Sequence, residues 1–124
     1  MLKHFIQLFR FAWNHPLNQG ERRTAINRVI RWQLASRMMP GPIALPFVIG
    51  TQLFATRGMT GATGNWYCGL HEYEDMSFVL NALRPGDLFV DVGANIGSYS
   101  ILAGGGGARV IAIEPIPSRS AVLR

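Results

Sequence analysis

Leu2, Phe5, Ile6, Phe9, Ala12 and Trp13 recur at helical spacing, with Lys3, His4, Gln7 and Arg10 between them. That spacing gathers the apolar side chains on one face of a short helix, which Pro16 ends. Asn18 and Glu21 stand in the order of a capping box, Asn as the cap and Glu reaching back to its amide. A second helix is predicted from there to about Met38. Its apolar face is read as Ile26, Val29, Ile30 and Leu34, and its basic face as Arg22, Arg23, Arg28, Arg31 and Arg37. Pro40-Gly41-Pro42 stops it.

Beyond this point the pattern changes. Residues 43–56 (IALPFVIGTQLFAT) predict two short strands around Gly50-Thr51, a hairpin whose first strand Pro46 confines to an edge. Gly58, Gly61 and Gly64 then recur every third residue. No lysine is present and no apolar strand leads in directly, so the stretch to Asn65 is read as a loop and not as a phosphate cradle. His71-Glu72-Tyr73-Glu74-Asp75 reads as the polar first turn of a helix, where acids complement the positive end of the macrodipole. Tyr73, Met76, Val79, Leu80 and Leu83 supply that helix's buried face. Cys68, His71, Glu72 and Asp75 are metal-ligand types, with His71 and Asp75 one helical turn apart, but the polar turn accounts for them and no metal is expected.

The rest of the chain is organised around residues 87–117. Leu88-Phe89-Val90-Asp91-Val92 is an apolar run of the kind found in buried parallel strands. Residues 93–97 turn the chain on two glycines, residues 98–103 have the composition of a helix start, and residues 104–107 are four glycines that break it. Arg109–Ile113 is a second β-branched run, closed by Glu114. One β-α-β unit is predicted, an acid at the carboxyl end of each strand, where ligands of α/β sheets bind.

The turn discriminates between ligands. Counted from Gly93, a dinucleotide fingerprint would need glycine at positions now held by Asn95 and Ser98, and a Walker loop would need a lysine. Asp91, two residues before the first glycine, would repel a pyrophosphate and attract a cation. S-adenosylmethionine carries an ammonium and a sulfonium and no phosphate, so its charge suits this turn. Gly93 and Gly97 let the backbone approach such a ligand closely, and Glu114 is placed to accept hydrogen bonds from ribose hydroxyls.

The segment VDVGANIGSYSILA, followed by VIAIEP, resembles the first motif and the following acidic motif of class I methyltransferases, and in particular the FkbM-type family. Asn95 in place of a middle glycine and the approach Leu83-Arg84-Pro85-Gly86-Asp87 are similar to that family, and residues 58–78 look like its preceding segment. The resemblance covers roughly residues 45–124. It implies an α/β fold that begins a Rossmann-like doubly wound parallel sheet, with S-adenosyl-L-methionine as cofactor. The cofactor-binding residues it implies are Asp91, Gly93, Ala94, Asn95, Gly97 and Glu114, with Glu72 or Glu74 near the methionine end. The activity it implies is methyl transfer to a hydroxyl of a small molecule or glycan, a sugar or secondary metabolite. No catalytic base is identified.

Three segments follow: a basic helical stretch, 1–42; a hairpin, glycine-rich loop and helix, 43–85; and the cofactor-binding unit, 86–124. Ser118 is expected to cap a further helix. A class I methyltransferase sheet resembles a seven-stranded one, so this chain is read as an incomplete fragment, expected to fold weakly and to bind cofactor feebly on its own. Charge is uneven, because seven of the twelve Lys and Arg precede Met39, against one acid, Glu21. The basic helices are read as packed against the catalytic unit with their arginines in water. The alternative is a non-catalytic remnant whose basic helices meet a membrane surface or a partner protein. Nucleic acid is not expected, since Trp32 is the only aromatic in the second helix. One cysteine, Cys68, excludes an internal disulfide and fits a reducing, cytoplasmic setting. Arg10 interrupts the apolar N-terminus and no small-residue cleavage site follows, so no signal peptide is read there.

Overall fold

The structure, a computed structural model, describes residues 2–120. Helix α1 (Leu2–Asn14) runs into a 3-10 turn at Pro16–Asn18, and α2 (Arg22–Met38) follows. The predicted capping box is not formed. Glu21 occupies the N-cap position, and its side chain makes no capping bond. Asn18 is instead buried, its amide donating to Ala12 O at 2.8 Å and Tyr67 O at 3.2 Å. The 3-10 turn delays the start of α2, and Asn18 thereby ties α1 to a segment nearly fifty residues away.

The buried stripe of α2 is Ala25, Val29 and Trp32. Ile30 and Leu34, placed on the apolar face by the sequence, are 46% and 58% exposed. The packing partners select the side: Ala12 and the partly buried Leu8, Phe9 and Phe11 of α1 meet α2 in the same cluster. Two arginines of the basic face lie against rings, Arg22 5.2 Å from the Trp13 centroid and Arg28 5.9 Å from that of Trp66. Their heads are held by cation–π attraction.

Strands β1 (Ile43–Pro46) and β2 (Gln52–Ala55) form the predicted antiparallel hairpin, Ile43 opposite Ala55 and Pro46 opposite Gln52. Ile49 and Gly50 turn it with φ of 55° and 70°. The stretch expected to be a loop is a helix, α3 (Thr60–Cys68). Its glycines are sites of close approach. A Cβ at Gly61 would lie 3.3 Å from the Ile96 side chain, and one at Gly64 only 2.1 Å from His71 Nδ1. Ala62, Tyr67 and Cys68 of α3 complete the first core with α1, α2 and the hairpin.

Helix α4 (Tyr73–Ala82) buries Met76, while Tyr73, expected on its inner face, is 38% exposed. It leads to β3 (Leu88–Val92), α5 (Ser98–Gly105) and β4 (Arg109–Ile113). The two strands pair in parallel, Leu88 beside Arg109 and Val92 beside Ile113, so the β-α-β unit is present. Leu102 of α5 joins Leu70 and Met76 in a second core, flanked by Phe47, Val48, Val79, Leu80 and Tyr99. The expectation that β3 is buried is not met: Phe89 and Asp91 are only half-buried, and on the other face Leu88, Val90 and Val92, with Ile111 and Ile113 of β4, are 47–76% exposed. Among the described residues nothing covers that face, and the alternation of β3 follows from it. Helix α6 (Pro117–Ser120) starts at Pro117, one residue before the expected cap. The architecture is mixed α/β, one antiparallel hairpin and one parallel pair.

Candidate functional site

The site residues read from the sequence converge on the turn between β3 and α5. Gly93 and Gly97 have φ of 79°, and Asn95 has φ of 52°. Glycine reaches that region without a Cβ collision, and asparagine is enriched there among other residues. The turn is fastened to β4 by backbone bonds, since Gly93 N and Ala94 N both donate to Ile113 O, at 2.8 and 3.1 Å. Gly97 N donates to Ala94 O at 2.7 Å and closes it.

Glu114 adds a side-chain staple. Its Oε2 accepts from Asn95 N at 2.7 Å and its Oε1 from Ile116 N at 2.9 Å. Asp91 Oδ2 accepts the Ser100 hydroxyl at 2.6 Å, which joins the end of β3 to the first turn of α5. Both carboxylates therefore stand at the carboxyl edge of the parallel pair, on either side of the turn. A Cβ at Gly93 would meet nothing within 4 Å, so the turn faces open space there. Ala94 lies buried beneath.

Helix α3 supports the other side of the turn. Asn65 Nδ2 approaches the buried Ser98 Oγ at 3.3 Å, while Asn65 Oδ1 accepts His71 N at 2.7 Å. Ile96 packs over Gly61. Asn65, Ser98, Tyr99 and Ser100 are absent from the site as read from the sequence. They are ordinary polar residues there, with no spacing to single them out.

Of the two glutamates left open near the turn, Glu72 is the one joined to α5. Its Oε2 accepts the Tyr99 hydroxyl at 2.9 Å. Burial raises the Tyr99 phenol pKa, and the bond to Glu72 and the charges of Glu72, Asp75 and Asp91 push it further in the same direction. Glu72 thus joins the start of α4 to the first turn of α5.

The metal-ligand types near residue 70 are dispersed. Cys68 is buried, its sulfur 3.5 Å from Asn18 Nδ2, and burial pushes its thiol pKa up to about 12. His71 lies against Gly64 and Phe11, its ring centroid 5.1 Å from that of Phe11. Among the described residues no group of three His, Cys, Asp or Glu is arranged to hold a metal ion. Nor, among them, is any helix long and apolar enough to cross a membrane. No family model matches the chain, and neither does any curated protein or solved structure.

Proposed function

We propose that residues 91–114 are the S-adenosylmethionine-binding turn of a class I methyltransferase that acts on a hydroxyl of a small molecule or glycan. One observation carries the reading. Asp91, next to last in β3, and Glu114, directly after the paired strand β4, stand beside an open glycine turn whose Asn95 amide Glu114 holds. The parallel pair is then the beginning of a doubly wound sheet, and the lone buried thiol of Cys68 suits a reducing cytoplasm.

The residues present fit that cofactor. Asp91 has lone pairs beyond those used by Ser100 and attracts an ammonium. Gly93 leaves room for close backbone approach. Each Glu114 oxygen accepts one amide and has capacity for a ribose hydroxyl. When bound, the cofactor supplies an electrophilic methyl group. The chain's own part is to fix and orient it, which converts binding into alignment with an acceptor oxygen. Glu72, through Tyr99, keeps further negative charge beside α5.

A second reading has its own support. Glu114 already binds two backbone amides and Asp91 a serine hydroxyl, which is what purely structural staples would do. Calorimetric titration of the whole chain with S-adenosylmethionine separates the two. Under the cofactor reading Asp91→Asn weakens binding about tenfold or more, as loss of a charge-assisted contact requires, and NAD is not bound in its place. Lowered stability with unchanged affinity in Asp91→Asn and Glu114→Ala rejects it in favour of staples.

A further inference from the structure

A second concavity lies away from the glycine turn, among α1, α2 and α3. It has a volume of about 470 Å³, within the range of small-molecule sites. Phe5, Phe11, Trp32 and Tyr67 give it an aromatic wall. Arg37 and Arg57, both exposed, stand at its rim, and no Asp or Glu lines it. Ser36 Oγ, on the same wall, is buried without a hydrogen-bond partner among the described residues. A buried hydroxyl left unpaired costs free energy. Arg37 is already oriented, since its guanidinium donates to the Gln33 side chain at 2.7 Å one turn back.

This cavity and the glycine turn use different faces of α3. Gly61 and Asn65 meet Ile96 and Ser98, whereas Thr60, Thr63, Gly64 and Tyr67 line the cavity. The helix between them makes the cavity a separate compartment.

We infer that this cavity is a binding site for an anionic amphiphile, an apolar body with a single carboxylate or equivalent anion. The aromatic wall takes the apolar body by area burial. Arg37 and Arg57 take the anion, for which the planar guanidinium is suited by its fork of donors. With cations at the rim and no acid in the lining, an amphiphile of positive charge is excluded.

The test is calorimetric titration of the whole chain with decanoate below its micellar concentration, beside decanol and decyltrimethylammonium of equal chain length. The expected result is saturable binding of decanoate at one site, on the order of tenfold tighter than either comparator. The double variant Arg37→Glu/Arg57→Glu changes only exposed side chains. It should lose that preference while retaining wild-type circular dichroism. Ser36→Phe, which fills the cavity, should abolish decanoate binding and leave the response of the glycine turn to S-adenosylmethionine unchanged. Equal binding of the three amphiphiles, or an undiminished decanoate preference in the double variant, overturns the inference. So does cosedimentation with anionic vesicles without binding of free decanoate, which would make this face a membrane contact.

Discussion

At Glu114 one carboxylate holds the amides of Asn95 and Ile116, joining the turn after β3 to the chain leaving β4. Both are charge-assisted bonds at a partly exposed position, so Glu114→Ala is expected to lower stability by about 1–3 kcal/mol. Urea unfolding measures it, and a change within ±0.3 kcal/mol, roughly the scatter of independent sites, would show that the turn stands without the staple. His15 gives a pH-dependent effect. Burial lowers its pKa from 6.5, against the opposing pull of the Leu70 and His71 backbone. A histidine with a depressed folded pKa contributes stability above its unfolded pKa, and that contribution is lost as pH falls through the folded value. Stability is therefore expected to fall below about pH 6.5, and His15→Gln should flatten that limb of the urea titration. Cys68 and Tyr67 act at the other end, with burial raising both to about 12 from 9.0 and 10.0. For acids with raised pKa values, stability is full below the unfolded value and declines as pH rises toward the folded one. Decline should begin near pH 9 in the native chain and later in Cys68→Ala.

At the scale of elements, α3 is where local propensity and tertiary packing disagree. Glycines at positions 61 and 64 weaken a helix, and with Gly58 their regular spacing, without a lysine or a leading strand, reads as a loop. They are tolerated because the neighbours come close: the His71 ring leaves no space for a side chain at Gly64, and the end of the Ile96 side chain would crowd a Cβ at Gly61. Gly64→Ala should therefore destabilise the fold by about 1–3 kcal/mol through forced displacement of His71, despite alanine's better helix propensity. A rise in melting temperature would show that the contact yields easily. The same conflict explains α2. Periodicity picked the larger aliphatic residues Ile30 and Leu34, but Ala25 and Trp32 face α1 and α3. Asn18 reads locally as a cap because its long-range partner, Tyr67 O, is invisible in the neighbouring residues. By contrast, the elements and order of the hairpin and the β-α-β unit were legible, although α5 runs through Gly104 and Gly105, where a break was read, and β3 is less buried than expected. Their signals are local: β-branched runs, turn glycines and a one-helix crossover, all within short stretches of chain. The acids of the turn were legible for the same reason, while the Asn65–Ser98 and Glu72–Tyr99 contacts join separate elements and were not.

At the scale of the whole molecule, there are two cores, one drawing on the hairpin strands and one on the hairpin turn, and the parallel pair presents a bare apolar face. Val90 and Ile111 are cross-strand partners on that face. Exposed apolar strand surface invites pairing and association. The chain is expected to self-associate with rising concentration in sedimentation velocity, and Val90→Lys with Ile111→Glu should shift it toward monomer. An unaltered association would place the contact elsewhere. The cofactor reading is tested most directly by following backbone amide resonances of the whole chain as S-adenosylmethionine is added, because this detects even feeble binding and names the residues that respond. The expected result is a saturable shift of the Gly93, Asn95 and Gly97 amides, absent in Asp91→Asn and not reproduced by NAD. Undisturbed amides at millimolar S-adenosylmethionine, on the order of the weakest specific affinities, or an equal response to NAD, would contradict it.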